Sequence, residues 1–544
     1  MSSSNSWLIN LFVKANGTAL FGHLKWRELE ITPLQIIYLE GAFAIFLAVG
    51  SLTWPLGNDQ SFYYFVADSI LRGGVPYRDA WELKGPLTYY VYAFVLALFG
   101  HYEASIRVFD LFILVLFCWW LGRMMLRLEK QAIPAIFAVV FFLLRYLYLG
   151  YWSTAQPEIW GAFLIAVAVS LLIQSSGSEG RVLSSIGVLI ALATLFKPTF
   201  LIFLLLPLIF SLSDRKRWVP AGMCVLAFSV TIALSLAIVF WNGGLREYWD
   251  VLRFLATSYS PLSKRSLLNE VSSLPELLRQ IGLVIPYLLV LPALVLIWRT
   301  GRKQLTWILT TWFVLAVLLL LAQGTYWWYS FMPSVIAVVV ILGCGLSCLT
   351  GPSAAPIGRQ LATGFAALLI GLSVIASDFP DHIWGNLTWP AYVLGDKNRL
   401  DHVKNVADGY HIQELDSVAA YVEGHTSPAD TILLWGFEIP VLVMSMRHPP
   451  TRFGTFEALI TEGPLLAQYR RIFLDDVSRS PPRYIVVDPL NSGYRSESSL
   501  WLLQHFDAFN EFLHKQYRLE IQIGQYELWV RSQSSSGSLD LQKN

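Results

Sequence analysis

Long apolar runs separated by short polar joints fill the chain from residue 34 to about 378, and the pattern then changes character. The runs lie near 34–54, 105–125, 133–151, 158–175, 182–196, 198–212, 218–241, 281–299, 304–322, 329–349 and 360–377. Crossing a hydrocarbon core about 30 Å thick takes roughly 17 to 25 apolar residues in a helix. The pattern therefore predicts a polytopic α-helical membrane protein with about eleven transmembrane helices, the pair around Lys197 being short. The stretch "PLTYYVYAFVLALFG" (86–100) is apolar but too short to cross, and it reads as a juxtamembrane helix lying in the interface. Residues 55–104 then form one large external loop between the first two spans. Within it, "QSFYYFVADSILRGG" predicts an amphipathic helix closed by Gly73 and Gly74.

Beyond residue 378 the pattern is that of a soluble domain. "IQELDSVAAYVEGH" (412–425) has helical periodicity, and "SLWLLQHFDAFNEFLHKQY" (499–517) predicts one amphipathic helix. "DTILLWG" (430–436) and "RYIVVDP" (483–489) read as buried strands, and "YRLEIQIGQYELWVRS" as a hairpin about a glycine. The expected organisation is a cytoplasmic N-terminal segment (1–33), a transmembrane domain (34–378), a C-terminal extracytoplasmic α/β domain (379–531) and a disordered polar tail (532–544).

Charge placement orients this layout. "RMMLRLEK" (123–130), "SDRKR" (213–217), "RTGRK" (299–303) and Lys14, Lys25 and Arg27 fall on one side of the assigned spans, which the positive-inside rule makes cytoplasmic. The first loop and the C-terminal domain then face outward from a plasma (inner) membrane. Composition agrees with that class: the 544 residues are 55% hydrophobic and only 14% charged, and the formal net charge of +1 excludes a nucleic-acid-tracking surface. Cys118, Cys224, Cys344 and Cys348 all lie in apolar runs and read as packing residues, and no histidine has ligand spacing.

The first loop concentrates the chemistry. Asp59 follows the first span, and "YRDAWELKGPL" brings Asp79, Glu82 and Lys84 into one irregular segment. Carboxylates beside a lysine can deprotonate a hydroxyl and hold an anionic leaving group, as transfer from a phosphate ester to an alcohol requires. Each residue also has a plain structural reading. Asp59 would cap a helix, while Lys84 and Lys197 would snorkel as membrane anchors. Arg107 and Asp110 would pair with each other on the second span. Arg145, near the outer end of the third span, suits phosphate binding or interface anchoring equally. "TYWWYS" (325–330) reads as an aromatic belt or as a sugar platform, with Tyr329 as the substrate-contact candidate.

An acid after the first span, a G-x-PYRD stretch, an acid before K-x-P-L, an apolar helix ending "LFG" and an arginine entering span two together resemble the glycosyltransferase C superfamily. The likeness is to its bacterial polyprenyl-phosphate-sugar-dependent branch, which includes aminoarabinose lipid A transferases and protein O-mannosyltransferases. It extends through "ALATLFKP" (191–198), "YWWYSFMP" (326–333) and the C-terminal "SPADTILLWG", "TRFGT" and "PRYIVVDP". The resemblance implies a membrane glycosyltransferase that moves a sugar, with inversion, from a polyprenyl-phosphate donor to a hydroxyl of a lipid, polysaccharide or protein acceptor on the external face. It implies Asp59 as catalytic acid or base with Glu82 and Asp79 beside it, Lys84, Lys197 and Arg145 on the donor phosphate, and Glu158 and Tyr329 on substrate. No cofactor is required, although some relatives use a divalent metal ion. A lipid-linked saccharide flippase would place charges at mid-span. An O-antigen polymerase or ligase would centre on a large late loop such as 242–280.

Overall fold

The computed structural model describes residues 33–175, 179–212, 214–259, 284–324, 327–350, 356–375, 387–407, 411–490 and 497–532. Among these, five helices are long and apolar enough to cross a membrane: Glu103–Glu129, Pro157–Gln174, Arg215–Trp241, Lys303–Gln323 and Trp328–Thr350. Ala132–Tyr148, Gly180–Phe196, Pro198–Ser211 and Val284–Arg299 are apolar but shorter, so among the described residues length and composition give five spans, or six with the bent pair below, beside the eleven expected of the whole chain. The first span runs into a broken helix, in which Tyr38–Thr53 meets Asn58–Leu71 at a bend of 75°. Pro55 and Gly57 lie in the break. The N-terminal segment to residue 32, most of the 242–280 loop and the tail from 533 lie outside the described residues.

Neighbouring helices reverse direction at polar joints. Glu103–Glu129 ends on Lys130 in the left-handed conformation (φ 54°), and the next helix starts at Ala132. Arg302 holds Glu129 through two hydrogen bonds of 2.7 and 2.8 Å, which brings "RMMLRLEK" and "RTGRK" together at one end of the bundle. The predicted juxtamembrane helix is Pro86–Phe99, opened by proline in its first turn and stopped by Gly100 (φ 87°). Cys118, Cys224 and Cys344 are buried among apolar side chains and Cys348 is half-buried, all as free thiols.

The C-terminal region folds around a four-stranded sheet in the order β1-β2-β4-β3. Strands β1 (Ile432–Trp435) and β2 (Tyr484–Val487) are parallel and wholly buried, and β4 (Tyr526–Arg531) runs antiparallel to both β2 and β3 (Tyr517–Ile523). Continuous apolar burial is what a parallel pair covered on both faces requires. The single helix expected over 499–517 is two, Ser499–Gln504 and Asp507–Gln516. The break puts Phe506 into the aromatic cluster of Trp435, Phe473 and Phe509, and burial of that ring outweighs helix continuity.

This α/β region sits directly on the first loop. The Trp81 amide donates to Arg452 O at 2.8 Å, Phe62 meets Phe437 edge to face, and Arg399 pairs with Glu103 at 2.9 Å.

Candidate active site

The helix Asn58–Leu71 begins immediately after the broken first span, so Asp59 in its first turn is thrust into the interior instead of capping toward water. Gln60 fixes that turn from below: its side-chain amide donates to the carbonyls of Tyr151, Trp152 and Thr154 at 3.0, 2.9 and 2.6 Å. Asp59 Oδ2 accepts from Gln156 Nε2 at 3.1 Å, and the Tyr329 hydroxyl also donates to its carboxylate. Tyr63, one helical turn beyond Asp59, completes the cradle by donating to Gln156 Oε1 at 2.9 Å.

The irregular segment after Gly74 supplies the lysine. Tyr77 is fully buried with φ 70°, a strained conformation for a non-glycine residue, and its hydroxyl donates to Lys84 O at 2.8 Å. Glu82 Oε2 accepts the Lys84 amide at 2.8 Å and the Tyr89 hydroxyl. Glu82 thus clamps the backbone that presents Lys84. The Lys84 ammonium then reaches Glu158 Oε1 at 2.6 Å and lies 5.3 Å from the centre of the Tyr329 ring. From the far side, Lys197, at the end of the helix Gly180–Phe196, reaches the same Glu158 oxygen at 2.9 Å and Gln323 Oε1 at 2.9 Å.

Two ammonium groups thus share one carboxylate oxygen. Glu158 is 1% exposed, and its second oxygen has no hydrogen-bond partner. Snorkelling would carry the lysine heads out to water; here both heads point inward.

Burial raises the carboxyl of Asp59 above its ordinary range, the Lys84 ammonium pulls it down, Glu158 pushes it up, and the Tyr329 and Gln156 hydrogen bonds pull it down; the net shift is upward. Burial also lifts Glu82 against the opposing pull of Lys84 and Tyr89. For Lys84, burial disfavours the charge, but Glu158, Asp59 and Glu82 outweigh it and hold the ammonium above its usual value.

Of the residues singled out in the sequence, Asp59, Glu82, Lys84, Glu158, Lys197 and Tyr329 come together. Asp79 does not join them: it turns outward, 38% exposed, onto Arg78 at 2.7 Å and the Val75 amide at 2.8 Å. Arg145 is buried over the Phe141 ring at 5.2 Å, near Tyr148 and Tyr287. Arg107 and Asp110 do not bridge each other. Arg107 donates to Thr154 and to the carbonyls of Tyr151 and Pro55, while Asp110 accepts from Trp160 and Tyr146. Tyr63, Gln156 and Gln323 escaped the sequence reading. The only signal for the two glutamines was a polar residue at the end of an apolar helix.

Among the described residues, no three His, Cys, Asp or Glu side chains could hold a metal ion. The site's acids are engaged by ammonium, amide and hydroxyl donors, a donor set that does not fit a divalent cation.

No protein-family model matches the chain, and no curated protein sequence matches it. Solved structures do. ArnT from Cupriavidus metallidurans bound to undecaprenyl phosphate aligns with a TM-score of 0.55 at 13% identity, covering 92% of this chain and 99% of that one. The same protein in the apo state aligns at 0.51 and 12% identity, covering 91% and 97%. The Archaeoglobus fulgidus oligosaccharyltransferase tethered with an acceptor peptide gives 0.49 at 13% identity, over 93% and 74%. Nearly end-to-end alignment with ArnT gives this chain the fold of that protein.

Proposed function

We propose that the protein is a membrane glycosyltransferase that moves a sugar from a polyprenyl-phosphate donor to an acceptor hydroxyl, with inversion, on the periplasmic or external face of the inner membrane. The observation that carries this reading is the convergence of Lys84 and Lys197 on one buried carboxylate oxygen beside Asp59. Unreacted, Glu158 occupies the place of an anion between the ammonium groups. A donor phosphate entering there meets two preorganised cations in a site shielded from water, where they act most strongly on developing charge.

The reaction balances on this chain's own groups. The bond from the anomeric carbon to the lipid phosphate oxygen breaks, and its electron pair leaves with the phosphate, stabilised by Lys84 and Lys197. The acceptor oxygen bonds to the anomeric carbon from the opposite face, and its proton passes to the Asp59 carboxylate. Tyr329 and Gln156 keep that carboxylate aimed, and Glu82 holds the Lys84 backbone in place. Glu158 acts by positioning both lysines. The ArnT structure with undecaprenyl phosphate supports the donor class. The sidedness rests on the basic loops gathered at the opposite end of the bundle.

Donor binding tests the reading. In titrations of the purified protein with undecaprenyl phosphate, Lys84→Met is expected to weaken binding about thirtyfold, since truncating one partner of a buried charged pair costs at least about 2 kcal/mol. Affinity equal to wild type would remove Lys84 from the phosphate site. Asp79→Asn, by contrast, is expected to change transfer less than about threefold, because the side chain faces solvent and Arg78.

The pH profile has a defined sign. Asp59 must be ionised to accept a proton, and its carboxyl is raised by burial. The acidic limb of kcat/KM is therefore expected above the ordinary aspartate value of about 3.9, with activity falling as pH drops through it. A limb at or below that value would exclude Asp59 as the base.

A further inference from the structure

A second cavity lies where the first loop, the helix Leu245–Phe254 and the C-terminal region meet. It encloses about 180 Å³ between Trp81, Glu247, Asp250, Arg452, Gln468 and Tyr469. That is below the roughly 300 Å³ at which drug-sized pockets begin, so it suits a single ring-sized unit. Its walls mix aromatic faces with donors and acceptors. Trp81 and Tyr469 are 4% and 3% exposed and meet edge to face at 6.0 Å with the phenol oxygen turned to the indole, while Glu247 Oε2 is buried without a partner. Buried polar atoms are almost always satisfied, so an unpartnered carboxylate oxygen on the wall of this cavity marks the place of a hydrogen-bonding ligand.

The chemistry of that ligand follows from the walls. Hydroxyl groups both donate and accept, and so can meet the Trp81 N–H, the Glu247 carboxylate and the Gln468 amide together. The aromatic rings offer flat apolar faces to the C–H side of a pyranose. Glu247 and Asp250 are balanced by Arg246 and Arg452 on the same walls, so the lining carries no formal net charge and suits a neutral ligand, unlike the donor-phosphate site.

The helix that forms one wall also relates the two sites. From Leu245–Phe254 it continues through Leu255–Tyr259, and Tyr259 lies within the field of Glu457 first and then of Asp59, Glu82 and Glu158. Asp250 on the cavity wall and Tyr259 are nine residues apart along this continuous helical segment. We infer that this cavity is an acceptor-side subsite for a neutral sugar unit remote from the reacting hydroxyl, so that the acceptor is an oligosaccharide or polysaccharide. The inference rests on the transfer reading above and specifies its acceptor.

Calorimetric titration of the purified full chain with maltotetraose, chitotetraose, cellotetraose and, as the anionic counterpart, tetragalacturonate tests it. At least one neutral tetrasaccharide is expected to bind, and Tyr469→Phe with Glu247→Gln is expected to weaken it tenfold or more while undecaprenyl phosphate affinity stays at the wild-type level. Should that double variant fail to fold, Gln468→Ala serves in its place with the same expectation at about threefold. Failure of every neutral sugar to bind, binding of tetragalacturonate alone, or unchanged affinity in the variants would each overturn the inference. Failure of the transfer reading would instead appear in the separate donor titration, as a wild-type protein that does not bind undecaprenyl phosphate.

Discussion

Asp59→Asn is expected to lower sugar transfer about a thousandfold while leaving undecaprenyl phosphate binding within a few-fold of wild type. Asparagine matches the aspartate in shape, so Tyr329 and the broken-helix turn can stay in place, and what disappears is the ability to take a proton. A positioned general base contributes roughly 10² to 10⁴ in rate. Burial strengthens the case, because a carboxyl held above its ordinary range accepts a proton more readily than an exposed one. The decisive measurement is kcat at saturating donor, with donor affinity measured independently. A kcat within tenfold of wild type would mean that another group takes the acceptor proton. A parallel loss of donor binding would mean that Asp59 holds substrate and does not act as the base.

The second large effect is expected at Gly85, the residue that follows Lys84. A methyl group there would come within 2.9 Å of Phe196 O and 2.8 Å of Leu195 C, and closer still to Leu195 O. All three are backbone atoms at the end of the helix Gly180–Phe196 and cannot rotate away. The Gly85 amide donates to Phe196 O at 3.0 Å, so this glycine is the point where the Lys84 segment is pressed onto the turn that carries Lys197. Gly85→Ala must push the two apart. The expected result is at least a hundredfold loss of transfer, because displacement of a catalytic group by about 1 Å can cost that much. A lowered Tm is expected too, since overpacking typically costs about 1–3 kcal/mol. Transfer equal to wild type would show that Lys84 and Lys197 need not share Glu158.

The contrast between these two positions shows what a single sequence can disclose. Asp59 was conspicuous: a carboxylate beside a membrane-length apolar run demands an explanation. Gly85 was silent, because a glycine before a proline reads equally well as the opening of a helix. The same division runs through the site. Lys84 and Lys197 are separated by more than a hundred residues, and the sequence permitted either to be a membrane anchor. Only the packing of three helix ends brings both onto one oxygen of Glu158. Asp79 and Glu82 looked interchangeable in one irregular segment. Tertiary contacts with Arg78 on one side and Tyr89 on the other turn the first outward and bury the second.

By itself, the sequence determined the membrane class, the change to a soluble pattern after residue 378, the strands β1 to β4 and the helix Ile412–His425. These follow from local periodicity and from the length of apolar runs, quantities that short stretches carry within themselves. The tertiary structure decided how many helices reach spanning length, the break at Phe506, the glutamines that brace Asp59 and the cavity beneath the C-terminal region. Each of those depends on which distant groups meet in the interior, where a buried polar atom must find a partner and a ring must find a cavity its own size.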